Sequence, residues 1–422
     1  MSDTAEGIGG ALKTSPEDFV VEEIPSYEPC GEGEHLYLLV EKRDATTSRV
    51  IEHLCRRFDL ERKHVGYAGL KDRHAVTRQW LSLHDPGRRI DDAAAAAMEE
   101  PWMRVLDAVR HGNKLRRGHL RGNRFRIALR DVSIGAAPQA LAALRKLERH
   151  GAPNYFGEQR YGSRGVNHLV GRALILGEFS DALDQFLGWG GHREGHREDA
   201  AARDLYEQGA FADARDAYPR SAAPERRALA ALARGARAKS AIRAIGPTQR
   251  DFWVSAFQSA IFDDVLAQRE QAGALGALVE GDVAYKHDNG ALFDVGASEI
   301  GESLTQRVTT LEVSPSGPLW GPAMKLAGSQ VGERETAALM RAGVTPDRLK
   351  HFSMAWRERG LGARRSMRAV VSNATVEAGA DERGEFLRCV FDLPPGSYAT
   401  VVMSILMQGR FVSENRWTHV TE

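Results

Sequence analysis

The chain has 422 residues, and its 57 lysines and arginines balance its 57 aspartates and glutamates, so its formal net charge is zero. Hydrophobic residues make up 42% of the sequence and charged residues 27%, which is ordinary composition for a globular protein. These values exclude a histone-like or polybasic nucleic-acid binder, but they allow an enzyme whose positive charge is confined to one face. The length predicts two or three domains.

Neither the cysteines nor the histidines form a pattern that predicts a metal site. Cys30, Cys55 and Cys389 stand far apart, which predicts a reducing compartment without a disulfide framework or a structural zinc site. His192 and His196 have the spacing of helical metal ligands, but the charged residues around them favour an exposed loop. The sequence also lacks the apolar runs of a signal peptide or of a membrane span. We therefore expect a cytoplasmic protein without a membrane segment or a bound metal.

The first third of the chain has the patterns of mixed α and β structure. Alternating apolar residues predict a half-buried strand over 35–42, and Thr47 is placed to cap a helix with apolar residues at helical spacing. Over 124–130, apolar residues alternate with arginines, so a strand there would bury one face and present arginines on the other. The pattern over 138–151 predicts a helix that ends at Gly151.

The composition changes in the middle of the chain, where 183–243 is rich in Ala, Arg, Glu and Gly. The elements predicted from there onward are helices over 199–211 and 222–244, an amphipathic helix over 252–269, short strands over 281–296, and β-like segments over 386–393 and 397–407. A helix-rich middle between two β-rich ends predicts one domain inserted into another.

Positive charge is concentrated between residues 104 and 130, which hold nine basic residues and one acidic residue. Such a cluster is either a solvated surface or part of a groove that follows a phosphate backbone. The loop-like part of this stretch, 113–123, has glycines among its cations and suits a backbone contact, although it lacks the spacing of a Walker loop. The cations that we assign to such a phosphate backbone are Lys114, Arg116, Arg117 and Arg121.

Two further segments carry candidate chemistry. In 65–80, a strand-like start leads into a Gly-bounded turn that holds Lys71 and Asp72. Asp72 is either a reactive carboxylate, kept ionised by a neighbouring cation, or a turn residue bonded to its own backbone. In 153–162, aromatic residues stand among amide and basic side chains, which suits a pocket that reads a base, although aromatic residues are also common in cores.

These segments, taken with two others, resemble the TruD family of tRNA pseudouridine synthases. The five blocks occur in order at 13–23, 65–80, 113–123, 153–162 and 396–400. The resemblance covers roughly residues 11–170 and 365–410, and it is weaker in the middle, where 255–262 looks like the inserted domain of the family. The Gly-Leu-Lys-Asp segment that ends at Asp72 and the Asn-Tyr-Phe-Gly segment that begins at Asn154 are its most specific parts.

The resemblance implies roles for individual residues. Asp72 falls on the catalytic aspartate of the family. Phe19, Asn154 and Tyr398 fall on positions that contact the target uridine, and Phe156 falls on an aromatic that packs beside it. Lys13, Glu23 and Lys71 match or adjoin residues that accompany the active site.

One position departs from the family pattern. Met403 and Ser404 stand where the family often has an Arg-Glu pair. If that arginine supports the charge of the active site, another cation such as Arg365 or Arg368 must replace it here. The same departure gives weight to an alternative, a non-catalytic tRNA-binding protein or RNA chaperone that uses the same basic surface.

The expected fold class is α+β. The resemblance implies a catalytic domain with a twisted, mainly antiparallel sheet, built from residues 1–178 and 373–422. It also implies an inserted α/β TRUD domain over 179–372.

The implied reaction converts uridine 13 of tRNA to pseudouridine. It breaks the bond from ribose C1′ to N1, turns the retained uracil, and joins C1′ to C5, so it needs no redox change, cofactor or metal. One ionised carboxylate suffices, as nucleophile or as base, and the flipped base would stack on aromatic side chains. An RNA-acting N-glycosidase is a more remote alternative. We expect the protein to act on tRNA as a monomer.

Overall fold

The computed structural model describes residues 7–190, 199–356 and 360–409. These described residues divide into two compact units, a first unit of residues 7–152 and 369–409 and a second unit within residues 153–368. The domain division that we expect at 178/179 and 372/373 stays a prediction. His192 and His196, the pair with metal-ligand spacing, lie outside the described residues.

The strands and helices are numbered here in chain order. The strands are β1 Phe19–Pro25, β2 His35–Arg43, β3 Val65–Tyr67, β4 Val76–His84, β5 Glu99–Glu100, β6 Met103–His111, β7 Leu120–Leu129, β8 Ala152–Pro153, β9 Val283–Lys286, β10 Leu292–Asp294, β11 Val313–Leu319, β12 Ala363–Ser366, β13 Arg368–Ala369, β14 Ser372–Asp381 and β15 Gly384–Leu393. The helices are α1 Thr47–Arg57, α2 Asp92–Ala96, α3 Ala137–His150, α4 Asn167–Leu176, α5 Phe179–Leu187, α6 Ala200–Glu207, α7 Phe211–Ala217, α8 Ala223–Ala233, α9 Ala238–Ile245, α10 Pro247–Gln271, α11 Glu302–Thr309, α12 Ser329–Arg341, α13 Pro346–Ala355 and α14 Ala399–Gln408.

The first unit is built on one large sheet with the strand order β14-β15-β7-β1-β4-β2-β6-β5, and β3 pairs with β4 beside this row. The β1–β4 pair is parallel, and the other neighbours that the described residues form in this sheet are antiparallel. The mixture of helices with a mainly antiparallel sheet confirms the α+β fold class.

Three clusters of buried residues lie in the first unit, the smallest of them around Tyr37, Trp80 and Leu115, and the two larger ones form most of its core. One lies between the sheet and the helices α3 and α14, and it contains Phe125, Ile127 and Leu129, the apolar face predicted for β7. The other packs helix α1 against β2, β4 and β6. The predicted end of α3 is also confirmed, because Gly151 follows its last residue with φ 77°, a conformation that favours glycine.

The β-like segment predicted over 397–407 is wrong, because these residues belong mainly to helix α14. Their β-branched residues favour a strand when taken alone. The core overrides that preference, since Val402, Met403 and Leu406 repeat at helical spacing and are buried in the cluster around α3 and β7. Met403, where the sequence departs from the family pattern, is therefore a core residue.

The second unit is mainly helical, with a four-stranded sheet of order β10-β9-β11-β12. Its longest described helix, α10, covers the helix predicted over 252–269. The predicted amphipathic character is wrong, because every residue from Ala256 to Asp263 is buried. The helices predicted over 199–211 and 222–244 are each broken by a glycine with positive φ. Gly209 separates α6 from α7, and Gly235 separates α8 from α9.

No helix within the described ranges combines the length and the apolar character that a membrane crossing requires.

Candidate active site

Asp72 lies in the irregular segment between β3 and β4, and its side chain is half-buried. Neighbouring elements hold the backbone of this segment. Lys42 of β2 donates from Nζ to the carbonyl oxygen of Asp72 at 2.6 Å, and Gln79 of β4 donates from Nε2 to the carbonyl oxygen of Gly69 at 3.1 Å. Within the described residues the Asp72 carboxylate itself makes no hydrogen bond or ion pair. The loop is therefore fixed while its carboxylate stays available to a substrate.

The first turn of α1 completes this support. Thr46, not Thr47 as predicted, caps the helix by accepting the backbone N–H of Arg49 at 3.1 Å. Thr47 is the first helical residue, and its buried hydroxyl donates to Oε1 of Gln79 at 2.9 Å and accepts the N–H of Lys71 at 3.1 Å. One hydroxyl thus links the helix, strand β4 and the residue before Asp72.

Lys42 is a fully buried cation beside the Asp72 backbone. Burial lowers the pKa of its ammonium to about 8, and the charge of Asp72 acts in the opposite direction, because it favours the protonated form. The Asp72 carboxylate therefore lies in the field of a poorly hydrated cation that already bonds to the same residue.

Lys71 does not pair with Asp72. Its side chain turns to Oε2 of Glu23 at 2.7 Å and to Oδ1 of Asn123 at 2.9 Å, and the Lys71 and Glu23 side chains are almost fully buried. Burial raises the pKa of Glu23, and the Lys71 ammonium opposes that change. Glu23 of β1, Asn123 of β7 and Leu393 of β15 share one row of the sheet. This buried pair joins the Asp72 segment to that row.

The other residues predicted for the first unit lie in different surroundings. Phe19 begins β1 and is a core side chain, with the Lys13 ammonium 4.2 Å from its ring centroid and the Phe125 ring at its edge. Tyr398 is half-buried and directly precedes α14.

Asn154 and Phe156 lie together in the second unit, and both are buried. Nδ2 of Asn154 donates to the carbonyl oxygen of Ser366 at 2.8 Å, and its Oδ1 accepts Nη2 of Arg365 at 2.6 Å. The same Arg365 guanidinium lies 4.2 Å from the centroid of the Phe156 ring. The backbone N–H of Phe156 donates to Asp263 at 3.0 Å. Arg365 therefore connects the amide and the aromatic ring that the resemblance assigns to the uridine.

The two arginines considered as replacements for the missing family arginine differ in what they bind. Arg368 is buried and donates to the Ser314 hydroxyl and to the carbonyl oxygens of Val308 and Val313, each at 2.9 Å. These contacts join strand β11 to the end of α11, so they have a structural purpose. Arg365 is the one that contacts predicted uridine-binding residues.

The basic stretch 104–130 contains two kinds of cation. The arginines of β6, those of β7 other than Arg121, and the residue that follows β7 pair with carboxylates. These pairs are Arg104–Glu41, Arg110–Asp85, Arg110–Asp92, Arg124–Asp392, Arg126–Glu22, Arg130–Asp18 and Arg130–Asp381. Lys114, Arg116, Arg117 and Arg121 have no carboxylate partner within the described residues. Arg117 instead donates to the Tyr67 hydroxyl at 2.6 Å, and Arg121 to the Pro25 carbonyl at 3.1 Å.

One group of side chains has the donor types of a metal site. Glu34, His35 and His84 bring ligand atoms within 4.8 Å of one another, the one such group in the part of the chain that the structure describes. The reaction implied by the sequence assigns no task to a cation there, and the absence of a metal stays a prediction.

Sequence reasoning missed two side chains that bond to Asp72 or to its neighbour Lys71. Lys42 stands near the end of a strand pattern, where a lysine is usually a surface residue, and Asn123 ends a segment that we interpret only as basic. A weak signal exists for Lys42. Its position in the alternation of β2 is that of the buried residues Leu36, Leu38 and Val40, so its charge breaks an apolar face.

Comparison with known proteins identifies the family to which this chain belongs. The sequence model of the family described as tRNA pseudouridine synthase D (TruD) matches residues 2–405. The chain belongs to the TruD family. It is 40% identical over 402 residues to the tRNA pseudouridine synthase D of Syntrophotalea carbinolica, with 95% of this chain and 97% of that protein covered. It is 42% identical over 408 residues to that of Geobacter sulfurreducens, with 96% of each chain covered.

A solved structure agrees with this membership of the TruD family. A protein described as a tRNA pseudouridine synthase D (TruD) from Methanosarcina mazei matches with a TM-score of 0.76 and 28% identity, and the match covers 97% of this chain and 95% of that one. The predicted family and the prediction of an isomerase, a pseudouridine synthase, are confirmed.

Proposed function

We propose that this TruD protein converts uridine 13 of tRNA to pseudouridine and that Asp72 is its catalytic residue. The observation that carries the proposal is the Asp72 segment itself. Three hydrogen bonds, to the side chains of Lys42, Thr47 and Gln79, fix its backbone. The half-buried carboxylate has no protein partner within the described residues. An essential acid–base or nucleophilic group must be held in position without being engaged by another protein group, and the Asp72 carboxylate meets both conditions.

The chemistry makes limited demands on the protein. The bond between C1′ and N1 breaks, the uracil turns while it is retained, and a bond forms between C1′ and C5. The hydrogen at C5 is then lost to solvent as a proton and N1 gains a proton from solvent, so atoms and charge balance without an oxidant or a second substrate. Asp72 acts either by adding to C1′ and leaving again or by removing a proton from the ribose. Lys42 contributes a positive field in both cases.

The remaining predicted residues have supporting roles in this proposal. Phe19, Asn154, Phe156 and Tyr398 contact the extruded uridine, since a base that leaves the stack needs aromatic surface and a hydrogen-bonding edge. Arg365 takes the place of the family arginine that is absent at Met403, and its bond to Asn154 supports this role. Lys13, Glu23 and Lys71 support the active site, and Lys114, Arg116, Arg117 and Arg121 bind the RNA backbone.

The remaining expectations complete the proposal. The protein acts in the cytoplasm as a monomer, without a metal or cofactor. Its catalytic domain comprises residues 1–178 and 373–422, and 179–372 is the inserted TRUD domain.

The test is incubation of the full chain with a tRNA transcript that carries tritium at C5 of its uridines, followed by mass-spectrometric mapping of pseudouridine. We expect tritium release and a single product at position 13. Pseudouridine at another position would contradict the site assignment alone. Salt-dependent tRNA binding without product would support the RNA chaperone, and free uracil would identify an N-glycosidase.

A further inference from the structure

A cavity of about 470 Å³ lies in the first unit, apart from the residues assigned above to the target uridine. This volume falls within the roughly 300–1,000 Å³ that is typical of small-ligand sites. The residues that line it come from the segment after β1, from the end of β6 and from the segment between β6 and β7. They are Tyr27, His111, Asn113, Lys114, Arg116 and His119, with Glu28 as the acidic member.

Aromatic rings that are fixed in place form one wall of this cavity. The Tyr27 ring stacks on His111, with a centroid distance of 5.2 Å and an interplanar angle of 25°, and it meets His119 edge-on at 5.8 Å. The Tyr27 hydroxyl lies 2.9 Å from Nδ1 of His119 and 3.2 Å from the buried Tyr37 hydroxyl. Because these contacts hold the rings in position, stacking a base on them would cost little conformational entropy.

The cations of the cavity are not neutralised by carboxylates. Lys114 bonds to the carbonyl oxygen of Lys63, and Arg116 is exposed. Neither pairs with an aspartate or glutamate within the described ranges, although Arg104 and Arg110 of the neighbouring strand do so. A phosphate would therefore find two available cations.

The combination of side chains points to one nucleotide rather than to a phosphate alone. The rings offer a stacking surface, Asn113 offers an amide edge, and the two cations match a phosphodiester. Glu28 disfavours a second phosphate but can accept a ribose hydroxyl or a base N–H. An apolar ligand would leave these polar groups unpaired.

The cavity is also tied to the segment that leads to Asp72. The N–H of Gly118 donates to the carbonyl oxygen of Ala68 at 2.9 Å, and the N–H of Leu115 donates to the hydroxyl of Ser82 at 3.0 Å. Four residues of chain connect Ala68 to Asp72, so those two backbone positions are at most about 14 Å apart. A span within that upper bound corresponds to at most about four stacked nucleotides at roughly 3.4 Å each.

We infer that this cavity binds one nucleotide of the substrate RNA, a few positions from the uridine that Asp72 acts on, by stacking its base and by pairing its phosphate with Lys114 and Arg116. The inference rests on the proposed function, since it takes the same RNA as its ligand. It adds a second binding point, which would place the strand and fix which uridine reaches Asp72.

The test measures binding of a labelled tRNA transcript to the full chain over a range of salt concentrations. Its variants distinguish the contribution of the aromatic ring to binding from that of the two cations. Tyr27→Ala removes the stacking surface, and Tyr27→Phe keeps it. Lys114→Gln with Arg116→Gln removes both charges. Lys146→Gln with Arg149→Gln is the matched control, because both residues are exposed on α3 and neither pairs with a carboxylate within the described residues.

We expect Tyr27→Ala to weaken tRNA binding at least about 5-fold, the lower end of the effect of losing one stacked base, and Tyr27→Phe to weaken it less. Because the two cations share one phosphate, the double charge variant should reduce the slope of log K against log salt by about 0.7 to 0.9, whereas the control should leave it unchanged. In tritium-release assays Tyr27→Ala and the double charge variant should have a higher KM than the wild type, rather than a lower kcat. A 4-thiouridine-substituted transcript should crosslink to peptides that contain Tyr27 or His111.

Wild-type affinity in Tyr27→Ala would overturn the inference, as would a salt slope that the Lys114 and Arg116 changes leave unaltered. If the proposed function is wrong, the wild-type protein will release no tritium. Binding of tRNA by the wild type and the variants can still be compared in that case, so the two failures are distinguishable.

Discussion

The arginines of strands β6 and β7 and the cations of the segment between these strands contribute to one basic stretch, but they have different partners. Arg104 and Arg110 of β6 and Arg124 and Arg126 of β7, like Arg130 after β7, pair with carboxylates from other elements. The four cations of the connecting segment and the start of β7, Lys114, Arg116, Arg117 and Arg121, have no such partner within the described residues. The local charge count, eight positive charges in excess, therefore does not measure how many cations are available to a phosphate.

The two kinds of cation should therefore respond to substitution in opposite ways. Loss of a paired, buried arginine leaves a buried carboxylate without its partner, which destabilises the fold. Loss of an exposed, unpaired cation removes attraction for an anionic ligand and leaves the fold nearly unchanged. The next three predictions test this difference.

The largest effect should come from Arg110→Gln. Arg110 is buried and bonds to Asp85, which is also buried, and to Asp92. We expect the free energy of unfolding to fall by about 3–5 kcal/mol, because the Asp85 carboxylate would lose its partner inside the protein. Urea denaturation measures this change. The control is Arg104→Gln, whose pair with Glu41 is exposed on the arginine side and should be worth less than about 1 kcal/mol. Equal losses in the two variants would contradict the distinction.

A smaller effect, on binding rather than on stability, should follow from Arg117→Gln combined with Arg121→Gln. We expect the slope of log K against log salt for tRNA to decrease by about 1.4 to 1.8 and the free energy of unfolding to change by less than about 0.5 kcal/mol. Filter binding and urea denaturation provide the two values. A loss of stability with an unchanged salt slope would contradict the distinction between paired and unpaired cations.

The smallest effect should be on the stability of the protein at acidic pH. The hydrogen bond from Arg130 lowers the pKa of Asp381 from 3.8 to about 2, so the unfolded state binds more protons than the folded state between these values. The stabilisation is therefore complete above about pH 4 and is lost as the pH falls toward 2. Asp381→Asn should narrow the stability difference between pH 5 and pH 2. An identical pH dependence in the variant would show that this exposed carboxylate contributes nothing.

The sequence allows a good prediction of the local elements and of the position of Asp72. Alternation predicts strand β2 and the buried face of β7, and Gly151 predicts the end of α3. The 397–407 segment could not be predicted correctly in the same way, because its β-branched residues favour a strand while burial against the core selects a helix. In that segment, packing against residues distant in the sequence decides the structure.

The support of Asp72 lies beyond sequence patterns for a related reason. Lys42 reaches the Asp72 carbonyl across 30 residues of chain, and Lys71 reaches Asn123 across 52. Such contacts depend on which strands become neighbours, and local periodicity does not contain that information. The sequence also offers the flanking cations, Lys71 or Arg73, as partners for the Asp72 carboxylate, whereas the folded chain pairs Lys71 with Glu23.

Replacement of Asp72 tests the central claim most directly. Tritium release from C5-labelled tRNA should be compared among the wild type, Asp72→Asn and Asp59→Asn, an exposed position whose φ of 50° asparagine also accepts. We predict that Asp72→Asn binds tRNA as tightly as the wild type but releases tritium at least about 10³-fold more slowly, while Asp59→Asn keeps full activity. Substantial activity in Asp72→Asn would contradict the account.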